Sequence, residues 1–132
     1  MTPEVLARRL LVLVLPLALA GAVAVSARPP AAAQEPDRHV LVIKVKKYQF
    51  SPTRIEVAQG DVVKITLIAE DVPHSFTVDE YRIAKRAAPG TDVTFEFRAD
   101  RAGRFPFYCN LTTDDAGCKE TRGELIVSAR RP

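Results

Sequence analysis

The stretch TDVTFEFRADRAGRFPFYC, Thr91 to Cys109, decides how this chain folds. Val93, Phe95 and Phe97 alternate with Thr94, Glu96 and Arg98, a period of two that predicts a strand with one face buried and the other in water. A short turn ends at Gly103, and Phe105 and Phe107 resume an apolar strand that runs into Cys109.

The same reading extends in both directions. Upstream, Leu41, Ile43 and Val45 alternate with Val42, Lys44 and Lys46, Ile55 to Val57 forms a short strand, and Val63, Ile65 and Leu67 alternate with Lys64 and Thr66. Turn signals separate them: SP at 51 and 52, QGD at 59 to 61 and APG at 88 to 90. Phe76 and Val78 lie on one further segment, Ile83 on another near it, and Leu125 and Val127 on the last strand. Seven to eight short strands at roughly ten-residue spacing predict an all-β antiparallel sandwich or barrel. Nothing after residue 34 shows a helical period, and no internal repeat is visible.

The N-terminus differs in kind. Arg8 and Arg9 precede an apolar run from Leu10 to Val25, followed by small residues, which is the order of a secretory signal. Cleavage after Ala27 or Ala33 fits the small-residue rule, with Ala33 preferred. The alternative is a retained anchor, since about 17 to 25 apolar residues can span a bilayer. Residues 1–33 are thus expected to be a signal peptide or anchor, 34–39 a Pro/Ala-rich linker, and 40–129 a single domain.

The first 33 residues carry three arginines and one glutamate, so their removal lowers the formal charge from +3 to +1. A near-neutral domain without a Lys/Arg-rich run gives no basis for nucleic acid binding. Export to a periplasmic or extracellular space makes a disulfide the default for the only two cysteines, Cys109 and Cys118, with the closed loop worth roughly 3 kcal/mol. There is no nucleophile elbow and no glycine-rich phosphate loop, and nothing orients Ser75 toward its neighbour His74, so an enzyme is not expected. His74 and Cys109 each stand where a strand meets a loop, and an imidazole and a thiolate from two such loops could hold copper or zinc.

The run KYQFSPTRIEVAQGDVVKITLIAEDVPHSF, then APGTDVTFEFRADRAGRFPFYC, then RGELIV resembles the cupredoxins, in the branch similar to the periplasmic copper domain of cytochrome c oxidase subunit II and its small exported relatives. The resemblance covers Lys47 to Val127 and implies a Greek-key β-sandwich with its metal loops at one end. It places His74 at the family's first copper-ligating histidine and Cys109 at its thiolate. The family then continues to a Gly-His-x-x-Met-x-Gly segment, where this chain has Gly117-Cys118-Lys119-Glu120-Thr121-Arg122-Gly123. Cys118 replaces the second histidine and Thr121 the axial methionine. The family's binuclear copper site also lacks its second cysteine, because Thr113 stands four positions after Cys109. In the family the first strand begins at the end opposite the metal loops, so His39 is expected to face solvent rather than a metal.

Three readings of the sulfurs stay open. Cys109 and Cys118 as thiolates could join His74 in a copper site, with zinc also accepted, suited to storing or delivering copper in company with a redox or copper-trafficking protein. Alternatively, the two sulfurs form a disulfide in a metal-free interaction module. The third reading is an electron-transfer centre with an unexpected donor. A membrane enters only if the leader is retained.

Overall fold

The computed structural model describes residues 21–30, 32–111 and 116–131. Met1–Pro30 and Ala31–Pro132 are separate units, and residues 21–30 of the first are exposed and carry neither helix nor strand. Most of the apolar leader run lies outside the described residues. Among those described, no helix is long and apolar enough to cross a membrane.

The second unit is a two-sheet sandwich. Its strands are β1 (Arg38–Lys46), β2 (Gln49–Ser51), β3 (Arg54–Ala58), β4 (Val62–Ala69), β5 (His74–Val78), β6 (Ile83–Ala87), β7 (Val93–Arg98), β8 (Gly103–Tyr108) and β9 (Arg122–Ser128). A 3₁₀ turn covers Asp79–Tyr81, and a five-residue helix, α1 (Ala116–Glu120), precedes β9. One sheet has the order β2-β1-β4-β7 and the other β3-β9-β8-β5-β6. Pairing is antiparallel except for β1 with β4 and β3 with β9, which run parallel.

Burial follows the alternation in β1, β4 and β8. Ile43 and Val45 of β1, Val63, Ile65 and Leu67 of β4, and Phe105 and Phe107 of β8 all point into the core. Val93, Phe95 and Phe97 are only half-buried, because β7 is an edge strand packed against the rim of that core. The aromatic centre is Phe50, Phe76 and Phe107, with ring centroids 4.9 to 6.1 Å apart. Such rings contribute contact area and favourable edge-to-face geometry together.

Two elements depart from the sequence reading. β2 is a three-residue strand entered through a two-residue hairpin in which Lys47 (φ 49°) and Tyr48 (φ 61°) are both left-handed. Such turns favour Asn-Gly, so Lys-Tyr carries no turn signal. α1 is one turn long, too short for a helical period to show in sequence. At Gly60 the backbone adopts φ 92°, which the QGD turn requires and glycine supplies without strain.

Gly123 of β9 faces Phe107. A Cβ there would lie 2.1 Å from the Phe107 ring and 2.7 Å from the Thr53 carbonyl, which is itself held by the Glu124 N–H at 2.8 Å. Neither neighbour can retreat, since Phe107 is fully buried between Phe50 and Phe76. Gly123→Ala is therefore expected to destabilise the domain by about 2 kcal/mol through overpacking, checked by urea unfolding; an unchanged midpoint would show that this contact relaxes freely.

Candidate functional site

The parallel pairing of β1 with β4 orients the molecule. His39 lies opposite Val63 near the start of β4, whereas His74 follows the far end of β4 after the turn Glu70–Pro73. The two imidazoles thus stand at opposite ends. His39 is not simply solvent-facing: its Nε2 is 2.8 Å from the buried Asp61 carboxylate, and its side chain is 33% exposed. An unforeseen acidic partner there explains the difference.

At the His74 end, three segments converge. His74 opens β5 and is fully buried. Cys109 follows β8 directly, and Cys118 sits in α1, each only 2% exposed. Their sulfurs are joined, with an S–S distance of 1.99 Å and Cα atoms 5.2 Å apart. The Ser75 backbone N–H donates to Cys109 Sγ at 3.5 Å, which brings that sulfur beside the residue next to His74. The Ser75 hydroxyl donates to Asn110 Oδ1 at 2.8 Å and accepts the Asn110 backbone N–H at 2.7 Å, locking the two loops together. The Cys109 N–H donates to the Thr121 carbonyl at 3.1 Å, and the Thr121 N–H to the Cys118 carbonyl at 3.2 Å.

Asp71 links His74 to the β1–β2 hairpin. Its carboxylate accepts the Lys47 N–H at 2.7 Å and the Val72 N–H at 2.8 Å, and one oxygen lies 3.7 Å from His74 Nε2. The Lys47 N–H holds the Asp71 carboxyl below its ordinary range against the opposing effect of burial, and the Val72 N–H adds to the lowering. Tyr48, carried by the same hairpin, sets its ring edge-on to the His74 imidazole, centroids 5.7 Å apart. The ring also fills the space where a Gly117 side chain would be, within 2.5 Å of the position of a Cβ. Asp71 stands three residues before His74 in sequence, but nothing in the residue pattern brings Tyr48 to the site; only the hairpin does.

The donor set is unlike a blue-copper centre, which takes two imidazoles, one thiolate and a weak axial ligand. In the disulfide neither sulfur is a thiolate. Thr121 is fully buried, and its hydroxyl donates to the Gly117 carbonyl at 2.7 Å. Among the described residues, no group of three or more His, Cys, Asp or Glu side chains is arranged to hold a metal ion. As a disulfide, the site does not fit copper.

A family model described as a cupredoxin-like domain matches residues 14–127. The chain belongs to the cupredoxin-like family. It is 36% identical over 55 residues to cytochrome c oxidase subunit 2 of Thermostichus vulcanus, an alignment covering 42% of this chain and 16% of that subunit. Among solved structures, a chain of a heme-copper terminal oxidase dimer aligns with a TM-score of 0.64 at 22% identity, over 76% of each chain. The periplasmic domain of subunit II of the cytochrome oxidase (CoxB) of Bradyrhizobium japonicum aligns with a TM-score of 0.51 at 20% identity, over 58% of this chain and 54% of that one. At such identities these two structures speak to the fold alone, and that fold is the cupredoxin sandwich.

Proposed function

We propose that this cupredoxin-like protein is exported to the periplasm and binds copper through His74, Cys109 and Cys118 when the two sulfurs are reduced, the disulfide being its closed form. The reading is supported by one observation: Ser75, the residue next to the fully buried His74, donates its backbone N–H at 3.5 Å to the sulfur of Cys109, which is bonded to Cys118. Two soft thiolates with one imidazole favour Cu(I) and also accept Zn(II). The absence of a second imidazole and a thioether from the aligned segment favours storage or delivery over electron transfer. A copper-trafficking or redox protein is the partner this role calls for, and the likeness to oxidase subunits favours one associated with a heme-copper oxidase.

The bond between Cys109 and Cys118 favours a second reading, a metal-free interaction module. Thiol counting and copper titration separate the two. The protein is purified without reductant, its thiols are counted, and the reduced form is then titrated anaerobically with Cu(I). Stoichiometric uptake by the dithiol, absent in the disulfide and lost in His74→Ala, is the expected result. No uptake with both thiols free would leave the module, and an intense visible thiolate-to-Cu(II) band would restore electron transfer.

A further inference from the structure

The two sulfurs of the disulfide are not equivalent. Cys109 continues a strand and receives the Ser75 N–H, whose own residue is pinned by two bonds to Asn110 and by its place in β5 opposite Arg86. Cys118 belongs to a single helical turn whose residues Ala116, Lys119 and Glu120 are exposed. Thiol–disulfide exchange proceeds by in-line attack on one sulfur while the other departs as a thiolate, and the sulfur better stabilised as an anion departs faster. An N–H directed at sulfur supplies that stabilisation, because hydrogen bonds to a charged acceptor are stronger than those to a neutral one. The backbone of Ser75 also crowds Cys109 from the interior, whereas α1 lies at the surface.

We infer that this domain takes part in thiol–disulfide exchange, with Cys118 as the sulfur attacked and Cys109 as the leaving thiolate. The co-reactant is an exported protein carrying a pair of cysteine thiols. Its first thiolate attacks Cys118 Sγ; the Cys109–Cys118 bond breaks, a mixed disulfide forms on Cys118, and the electron pair leaves on Cys109 Sγ beside the Ser75 N–H. The partner's second thiolate then attacks its own sulfur in the mixed disulfide, closing the partner's disulfide and releasing Cys118 as a thiolate. The partner is oxidised by two electrons and this chain reduced by two; the two protons the partner's thiols gave up are taken up by Cys109 and Cys118 when these protonate.

Tyr48 controls entry. Both sulfurs are nearly covered, and the Tyr48 ring rests against Gly117, the neighbour of Cys118. Tyr48 is 39% exposed and sits on the β1–β2 hairpin, with its ring also edge-on to the His74 imidazole, so its displacement opens the path to Cys118 at the cost of that contact. The inference depends on the disulfide and not on copper, and no metal enters its test, so failure of copper uptake leaves it standing.

The test uses the full disulfide-bonded chain and glutathione as the attacking thiol under native conditions. The reaction is quenched with acid at low conversion, free thiols are alkylated, and the adducts are mapped by peptide mass spectrometry. Glutathione is expected on Cys118 and the alkyl group on Cys109, in roughly tenfold excess over the reverse, the ratio a single hydrogen bond to a charged atom supports. Tyr48→Ala is expected to raise the rate several-fold, and Gly117→Ala, whose methyl displaces the ring, to do the same should the first variant fold poorly. Equal labelling, preferential labelling of Cys109, or reduction no faster than global unfolding would overturn the inference.

Discussion

Asp61→Ala is expected to destabilise the domain by about 3 kcal/mol, the order of cost when buried backbone N–H groups and a partly buried guanidinium lose their shared acceptor. Asp61 is 1% exposed at the end of the sandwich opposite the disulfide. Its carboxylate accepts the Ala58 N–H at 2.9 Å and the Asp37 N–H at 3.1 Å, contacts His39 Nε2 at 2.8 Å, and pairs with the Arg130 guanidinium. Arg130 in turn donates to the carbonyls of Gln59 at 3.1 Å, Gln34 at 3.2 Å and Glu35 at 3.0 Å. One carboxylate therefore ties the segment before β1, the β3–β4 turn and the tail after β9. Alanine would leave its donors facing each other without an acceptor.

The same carboxylate sets an acid limit. Burial by itself raises its pKa, but the His39 bond, the Ala58 and Asp37 N–H groups and the Arg130 charge outweigh burial and hold it below its ordinary 3.8. A group whose folded pKa is depressed contributes stability that is fully present above the unfolded value and is lost as pH falls through the folded value. The wild type should hold this contribution at pH 7 and lose it below pH 3.8, while Asp61→Asn shows a flatter pH dependence in that acid window. Urea unfolding across the acid range measures both effects. A change under 1 kcal/mol for Asp61→Ala would mean that water replaces the carboxylate at little cost.

Removing the disulfide is the second large effect. Cys109 and Cys118 are nine positions apart, and closing a loop of that length is worth about 3 kcal/mol in the chain-entropy account. For a domain of this size that corresponds to a fall in Tm of roughly 12 to 20 °C. Reduction of the wild type isolates this contribution, whereas Cys109→Ala with Cys118→Ala adds the packing lost at two buried positions. Scanning calorimetry with and without reductant provides the measurement. If the reduced domain binds Cu(I), copper at 100 times its dissociation constant should return about 2.7 kcal/mol. A melting temperature indifferent to reduction would show that the loop around α1 is already ordered without the bond.

Much of the architecture was legible in the residues. The alternation of Val93 to Arg98, Leu41 to Lys46 and Val63 to Leu67, with turn signals between them, gave strands, faces and an all-β sandwich or barrel, because side-chain period is a local property of the extended chain; the choice of sandwich came from the cupredoxin resemblance. The resemblance to cupredoxins drew attention to His74, Cys109 and Cys118, and implied that Cys118 stands where the family has its second histidine.

Local pattern says nothing about convergence. Tyr48 reaches Gly117, Asp61 reaches Arg130 and the Ser75 N–H reaches Cys109 across stretches of chain whose pairing depends on the sandwich as a whole. Spacing alone also left the two sulfurs open to bonding each other or a metal. Tertiary structure brings their Cα atoms to 5.2 Å and joins them, since that distance depends on how β8, α1 and β9 pack and not on the eight residues between the cysteines.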